Sequence, residues 1–250
     1  MKRVLSLLLL FTSFVFSQDI YTPKSDSEKK YLETLRKTII NVGLENGDYT
    51  SEVIDGESLN LIIEDMLRNY LQLNIQVTNG NWDKIYSGFK KGEIDSIGFI
   101  TKSRKRNEEA EFSIPLLKES LYAASKKKRL TNYDDLKDQD IYIPRNSIYG
   151  NFFSDYLDSR NLKATKILVD NTKNFEDEIV LESSFDIIDF NYTLELVQLP
   201  DTSFAILKKY EKLIPIINNA IKERYREKIE NFLKKRKNYI FRQKDRKSVV

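Results

Sequence analysis

Histidine and cysteine are both absent from the 250 residues. Without cysteine the chain forms no disulfide and offers no thiol for catalysis or for lipoprotein attachment. Without histidine, the Ser-His-Asp and Cys-His nucleophile arrangements cannot be built, and neither can zinc sites with the usual nitrogen and sulfur ligands. Carboxylate, lysine and tyrosine chemistry is what remains for any reaction at a site in this chain.

The chain also lacks a large excess of charge of either sign. It has 41 Lys and Arg residues against 38 Asp and Glu residues, a formal net charge of +3. This balance gives no support for a nucleic acid as partner, because such partners are held through a strong positive excess. There is no internal repeat. The length is sufficient for one large domain or for two lobes with ordinary cores.

The first 17 residues have the pattern of a secretory signal peptide. Lys2 and Arg3 precede an apolar run from Val4 to Phe16 that is short for a membrane span. Ser17 then allows cleavage before Gln18. We therefore predict that the protein is exported to the periplasm or another extracytoplasmic space. An uncleaved membrane anchor is the alternative for the same residues.

Hydrophobic periodicity in the first half of the chain alternates between the helical and the strand pattern. Apolar residues at steps of three and four predict helices, and short β-branched runs between them predict strands. Short loops join these elements, which favours a mostly parallel α/β sheet. Tyr49 follows the first strand, at the end where open α/β sheets bind ligands. The predicted helices are 25–36, 56–70 and 82–91, and the predicted strands are 38–44, 73–77 and 94–100.

After a further strand at 116–125, a charged break at 126–129 starts a second α/β unit. Asn146 and Ser147 precede its first helix, and the unpaired N–H groups at a helix start make this loop a candidate anion site. Asp186 and Asp189 fall in a predicted strand, although Asp189 also suits a simple turn. The later predicted strands are 141–143, 167–169, 185–190 and 204–207, and the helices are 148–160 and 214–233.

The segment from Gly92 to Pro115 carries the clearest chemical signal. A short apolar strand is followed by a polar loop in which Thr101 and Ser103 offer hydroxyls and Arg106 offers a forked cationic donor. A guanidinium is the side chain best matched to a carboxylate or phosphate. The alternative is a solvated basic loop, which is what most charge runs are.

This segment, GEIDSIGFITKSRKRNEEAEFSIPL, is similar to the pattern G-x-I-D, short strand, T-x-[ST]-x-x-R and [DE]-F-S-x-P of the extracytoplasmic solute-binding proteins of family 3. The resemblance extends over about residues 35–233. It implies an α/β fold of the type II periplasmic-binding class, in which two lobes, each a mostly parallel sheet flanked by helices, close like a flytrap. The chain would cross between lobes near Tyr122–Lys126 and Leu196–Phe204. The expected division is 1–17 for the signal peptide, 18–122 and 200–240 for lobe 1, 123–199 for lobe 2, and 241–250 for a basic tail.

Carried over by position, the resemblance implies a clamp for a ligand carboxylate, an aromatic wall, a second-lobe loop and an acid for a ligand ammonium. The sequence spacing around the expected acid, Asp189, is compressed relative to the family pattern, so Asp186 is the alternative. An amino acid is the favoured ligand, with other small anionic metabolites as the alternative, and no cofactor is expected. The expected residues are Thr101, Ser103 and Arg106 for the clamp, Tyr49 for the wall, Asn146 and Ser147 for the loop, and Asp189 for the ammonium.

The resemblance implies two possible functions. A free periplasmic receptor would deliver its solute to the permease of an ABC importer. The ectodomain of a membrane sensor, a histidine kinase or a diguanylate cyclase, would instead pass closure to a fused membrane module. The helix that leads directly into the first strand and the T-x-[ST]-x-x-R spacing are more like the sensors. Against this, no apolar span follows Leu233.

A third hypothesis is a cell-wall lytic enzyme or a carboxylate-driven hydrolase. It has less support, because no acid, base and oxyanion donor can be assembled from the sequence. We therefore expect a binding protein and not an enzyme. Separately, the last six residues, Asp245 to Val250, are those that a common sequencing-adapter read would encode. We expect the native sequence to depart from this one after about Lys244.

Overall fold

The computed structural model describes residues 20–170, 172 and 174–247. The predicted signal peptide and the last three residues of the tail lie outside these ranges. In chain order the elements are α1 (Asp26–Leu35), β1 (Ile40–Glu45), α2 (Asp48–Ser51), α3 (Leu59–Asp65), β2 (Ile75–Gly80), α4 (Trp82–Lys91), β3 (Ser96–Thr101), α5 (Arg104–Glu109), β4 (Ala110–Phe112), β5 (Ser120–Ser125), β6 (Asp140–Pro144), α6 (Tyr149–Ser159), β7 (Thr165–Val169), β8 (Ile179–Ser183), β9 (Tyr192–Gln198), β10 (Thr202–Leu207), α7 (Leu213–Ala220) and α8 (Arg226–Lys247).

The strands form two five-stranded sheets, one in each lobe, so the expected two-lobed α/β fold is confirmed. The strand order is β2-β1-β3-β10-β4 in the first sheet and β7-β6-β8-β5-β9 in the second. Both sheets are mixed rather than mostly parallel as expected, since antiparallel pairings are as many as parallel ones. β10 runs antiparallel to both of its neighbours in the first sheet, and β5 does the same in the second. The pairings of β1 and β6 are parallel.

The chain crosses between the sheets at 113–119 and at 199–201. The first crossing was expected at Tyr122–Lys126, but residues 120–125 form β5, which pairs with β9 over its whole length and with β8 from Leu121 to Ala124, so the crossing comes earlier. The two crossings are joined by backbone hydrogen bonds. Leu199 N donates to Glu119 O at 2.9 Å, and Thr202 N donates to Leu117 O at 3.0 Å. Both reversed strands, β5 and β10, therefore enter their sheets directly from this paired hinge.

Local sequence signals account for the elements that carry the cleft. The side chain of Asn81 accepts from Lys84 N at 3.0 Å and caps α4, which ends at Gly92 in the left-handed conformation at φ 75°. Glycine suits that position because it has no Cβ to clash. All six residues of β3 are buried. This burial fits its place at the centre of the first sheet, where side chains on both faces pack against other elements.

Two segments of the cleft differ in type from the predicted secondary structure, and α2, β4, β8 and β9 were not predicted. Residues 104–109, expected as a polar loop, form α5, because the Ser103 side chain accepts from Arg106 N and caps the helix. Residues 185–190, expected as a strand, form a turn followed by the 3₁₀ helix Ile187–Asp189. The strand of this region is β8, which ends before the turn. Asp186 accepts a hydrogen bond from the Ser183 hydroxyl at 3.0 Å, a local bond of the kind that favours a turn over a ladder.

Apolar side chains fill both faces of the first sheet. Along β10, Phe204 and Ile206 join the core on one face, whereas Ala205 joins the core on the other. α8 packs on the first of these cores through Ile229 and Phe232. Across the described ranges, no helix has both the length and the apolar character that a bilayer span requires.

Candidate functional site

A cavity of about 760 Å³ lies between the two lobes, a size typical of small-molecule sites. The carboxyl ends of β1, β3 and β6 reach it through Glu45, Thr101 and Pro144. Open α/β sheets bind ligands at these strand ends. The hinge also contributes, because Glu119 from the first crossing and Thr202 from the start of β10 line the same cavity.

Arg106 is the most deeply buried cation among the described lining residues, with 4% of its surface exposed. Its Nη1 donates to Thr101 O at 2.7 Å, and its Nη2 donates to Asn146 O at 3.5 Å. The guanidinium carbon lies 4.9 Å from the ring centres of Trp82 and of Tyr86. Burial lowers the pKa of Arg106 below its ordinary value. No carboxylate of the described chain forms an ion pair with it, so this cation is available to a ligand anion.

The other predicted clamp residues have different surroundings. Thr101 ends β3 and lines the cavity, and its hydroxyl oxygen lies 3.2 Å from that of Thr202. Ser103 is not among the lining residues. Its hydroxyl accepts from Arg106 N at 3.3 Å, as the cap of α5. Ser103 thus holds the turn that positions Arg106, whereas Thr101 and Arg106 face the cavity.

The second-lobe loop contacts the first lobe. Asn146 has φ 60°, a left-handed conformation that asparagine adopts more readily than most residues. Its carbonyl accepts from Trp82 Nε1 at 3.1 Å as well as from Arg106, and its side-chain amide donates to Asp83. Ser147 lines the cavity, and its buried hydroxyl has no hydrogen-bond partner in the described part of the chain. Asn146 therefore bridges the lobes, while Ser147 keeps free capacity for a ligand.

Tyr49, predicted as the aromatic wall, lines the cavity from the first lobe. Its ring stacks on Phe185 of the second lobe, with 5.0 Å between centres and 23° between planes. Burial raises the pKa of Tyr49 well above its ordinary value, so the phenol stays protonated. The stacked pair is a second contact between the lobes, at the second-lobe turn that contains Phe185 and Asp186.

The two candidate acids both reach the cavity. Asp189 ends the 3₁₀ helix and is exposed, whereas Asp186 is half-buried and accepts from Ser183. Both line the cavity from the second lobe, whereas Arg106 lines it from the first. The sequence thus identified acids that reach the cavity although it assigned them the wrong secondary structure.

Glu119 is a cavity residue that the sequence reasoning missed. It is 4% exposed, and its Oε1 has no hydrogen-bond partner among the described residues. Burial raises the pKa of Glu119 to about 7, Asp186 adds to the rise, and the hydroxyls of Thr202 and Tyr49 oppose it. The available signal was an acid inside a largely apolar run that was predicted to be a strand. Buried acids are rare unless they are paired.

Among the described residues that line the cavity, acidic side chains outnumber basic ones. The other two lining cations are already paired, Lys126 with Glu176 at 2.8 Å and Arg145 with Asp170 at 2.9 Å. No cluster of metal-ligating side chains occurs within the described ranges. The seven lining carboxylates are Glu45, Asp83, Glu119, Asp170, Glu182, Asp186 and Asp189, and the three cations are Arg106, Lys126 and Arg145.

Two lobes, a paired hinge and a cavity between them define a flytrap-type ligand-binding protein. The family model of bacterial extracellular solute-binding proteins, family 3, matches residues 53–236, more than half of the chain. The chain therefore belongs to this family. A comparison with curated protein sequences found no match.

Solved structures of low sequence identity share the fold. The periplasmic domain of BvgS from B. pertussis has a TM-score of 0.67 at 16% identity, over 91% of this chain and 50% of that chain. This chain thus spans half the length of that structure. The amino acid ABC transporter substrate-binding protein AbpA from Streptococcus pneumoniae, bound to L-arginine, has a TM-score of 0.62 at 17% identity. The match covers 81% of this chain and 98% of that chain. A histidine kinase sensor domain with similarity to periplasmic binding proteins has a TM-score of 0.61 at 14% identity. The match covers 80% of this chain and 96% of that chain.

Proposed function

We propose that the protein binds an α-amino acid in this cleft, outside the cytoplasm, and that closure of its lobes around the ligand is its output. Arg106 carries the proposal, because it is a buried cation in the cavity wall and forms no ion pair with a carboxylate of the described chain. A guanidinium fork matches a carboxylate in shape and charge. The Thr101 hydroxyl stands beside it as a further hydrogen-bonding group.

The opposite wall suits the second group of an amino acid. Asp189 and Asp186 line the cavity from the second lobe and offer acceptors for an ammonium. The Ser147 hydroxyl adds a donor or acceptor from the same lobe. A small anion without an ammonium would bring no positive charge to these acids, so an amino acid fits better. The substrate-binding relative crystallised with L-arginine supports the same class of ligand.

Closure follows from contacts that only the closed state makes. A ligand that touches both lobes stabilises that state by the difference between its affinities for the closed and the open state. Exclusion of water from the cleft strengthens the bond between Arg106 and the ligand carboxylate. These groups bind and enclose a ligand, and they include no arrangement of general acid, base and oxyanion donor that would suggest catalysis.

Delivery of the solute to an ABC importer is the leading biological role, and a sensor ectodomain is the second candidate. The sensor is favoured by a second cavity, of about 560 Å³, whose walls come from the second-lobe turn at Phe185 and from α8 at Leu233. α8 is anchored to the first lobe through Phe232. Movement of the second lobe would therefore change the contacts of α8, which could transmit closure.

A thermal-shift screen of the purified protein against the L-amino acids tests the binding function. A ligand that binds only the native state raises the melting temperature by mass action. For the best ligand, we expect Arg106→Gln to weaken binding about 10- to 100-fold, as loss of a charge-assisted hydrogen bond would. Arg145→Gln is the matched control, because Arg145 lines the same cavity but is paired with Asp170. Full affinity in Arg106→Gln, with native circular dichroism, would contradict the assignment.

Uptake of the labelled ligand by host cells separates the two roles. If the protein serves an importer, deletion of its gene lowers the uptake rate at ligand concentrations near the dissociation constant. If it is a sensor ectodomain, deletion leaves that rate unchanged and instead abolishes the transcriptional response to the ligand. A strain carrying Arg106→Gln must reproduce whichever phenotype the deletion shows.

A further inference from the structure

Two charged side chains are deeply buried in the cleft wall but do not pair with each other. Arg106 and Glu119 are both 4% exposed. Arg106 donates to the carbonyl of Thr101, whose hydroxyl lies 3.2 Å from that of Thr202, and the Thr202 hydroxyl in turn interacts with Glu119. The two threonines therefore separate the cation from the acid along one wall. A ligand that contacts both ends must carry two separate polar groups.

The ionised form of Glu119 is not fully stabilised by the protein's own groups. An ionised carboxylate without a hydrogen-bonded or charged partner is unfavourable away from water, and Oε1 of Glu119 is buried without a partner in the described structure. The raised pKa of Glu119, about 7, reflects the same cost. A hydrogen-bond donor without charge could satisfy Oε1, but a cation would stabilise the ionised form more strongly.

The described protein supplies no such cation. Lys126 and Arg145 form ion pairs with Glu176 and Asp170, and Arg106 lies beyond the two threonines. The surroundings of Glu119 favour a positive charge in addition. Asp186 acts on it electrostatically, and the rings of Tyr49 and Tyr149 line the cavity nearby. Aromatic rings attract cations through their faces.

The geometry points to Glu119 as the acceptor for a second positive charge of the ligand, so we infer that the amino acid bound here has a cationic side chain. Its carboxylate binds at Arg106, its α-ammonium binds at the second-lobe acids, and its side-chain ammonium or guanidinium binds at Glu119. This inference rests on the proposed function, since it names the ligand class of the same cleft. A cavity of about 760 Å³ leaves room for such a side chain beyond the α-carbon groups.

Matched ligands test the inference by calorimetry on the purified protein at pH 8. L-arginine is compared with L-citrulline, and L-lysine with L-norleucine, because each pair differs mainly in the side-chain charge. We expect the cationic member of at least one pair to bind 10-fold or more tightly, and Glu119→Gln to bring that ratio close to 1. Glu64→Gln is the control, because Glu64 is a carboxylate that pairs with Arg68 and is not among the residues lining the cavity, and it should keep the ratio.

The outcomes separate this inference from the proposed function. If neutral amino acids bind in an Arg106-dependent way and equally well as cationic ones, the inference is overturned and the proposed function stands. Retention of the preference in Glu119→Gln also overturns it. Agmatine, which has a guanidinium but no carboxylate, isolates the Glu119 site. If agmatine binds through Glu119 while no amino acid binds, the proposed function fails and the cation site stands. If neither binds, both fail.

Discussion

At the scale of single residues, burial separates side chains that look equivalent in the sequence. Arg104 and Arg106 are two positions apart in α5, and two residues of a helix point about 200° apart. Arg104 is exposed, whereas Arg106 is buried beside the stacked rings of Trp82 and Tyr86. Only the second can use the low polarity of the cleft to hold an anion strongly.

The buried Glu119 carboxyl predicts how the stability of the folded protein depends on pH. Its pKa in the folded protein, about 7, lies above the ordinary value of 4.5. Between these values the folded protein keeps a proton that the unfolded chain releases, so the stability of the ligand-free protein falls as the pH rises from about 4.5 to 7. A shift of this size corresponds to about 3 kcal/mol, as an order of magnitude.

Glu119→Gln removes this titration. We expect the variant to gain stability relative to the wild type as the pH rises towards 7, and the gain to stay constant above pH 7. Urea unfolding followed by circular dichroism at pH 5, 6, 7 and 8 measures the difference. The chain has no histidine, so few other groups titrate in this window. Glu64→Gln on the surface is the control for loss of a carboxyl group, and a pH-independent difference for Glu119→Gln would refute the prediction.

At the scale of elements, α4 lies unusually close to β1. A Cβ placed on Gly43 would lie 2.7 Å from Cγ2 of Ile85 and 3.1 Å from Cγ2 of Ile94. Both neighbours are β-branched and buried, and β-branched side chains have little freedom at χ1. The glycine therefore sets how near the helix can pack to the strand, and β1 in turn carries Glu45 to the cavity.

Gly43→Ala should destabilise the protein by about 1–3 kcal/mol, the usual cost of overpacking a core. Thermal and urea unfolding measure the change. Gly150→Ala in α6 is the matched control, because its Cβ would meet Ile143 at 3.9 and 4.0 Å, ordinary contact distances. Alanine is also favoured over glycine inside a helix. We expect the control to be neutral or slightly stabilising. Equal stability of both variants would show that the spacing of α4 and β1 adapts freely.

At the scale of the whole molecule, function depends on contacts that cross from one lobe to the other. The second-lobe loop contacts α4 through Asn146, and Tyr49 stacks on Phe185. These contacts contribute only when the lobes are together, so they bias the molecule towards closure in addition to any effect of the ligand. The more these contacts stabilise the closed state, the less of the ligand's binding free energy is spent on closing the lobes, and the higher the measured affinity.

Trp82→Phe tests this coupling, because phenylalanine keeps a ring beside Arg106 but loses the hydrogen bond from Nε1 to Asn146 O. A net loss of about 0.5–1.5 kcal/mol would weaken ligand binding by roughly 2- to 10-fold. Calorimetry measures the affinity. The control is Tyr122→Phe, which removes a hydrogen bond to Glu195 within the second lobe. If both variants bind as the wild type does, the contact does not contribute to closure.

Much of the fold and part of the site could be predicted from the sequence. Ranges such as 82–91 match α4 because helical periodicity and the flanking Asn81 and Gly92 are local signals. Arg106, Thr101 and Tyr49 were predicted as site residues, and all three line the cavity. The turn and 3₁₀ helix after β8 were predicted as a strand. A short apolar run such as FDIIDF has no periodicity that distinguishes a strand from a turn or a short helix.

The sequence by itself determined the alternation of elements, the family and the absence of histidine and cysteine chemistry, because composition, periodicity and motif spacing are properties of the chain alone. Tertiary structure decided which groups face the cleft. Glu119 is buried there because the two crossings pair with each other, and Asn146 bridges the lobes because its loop meets α4. Burial and pairing depend on which distant segments meet, and no local pattern carries that information.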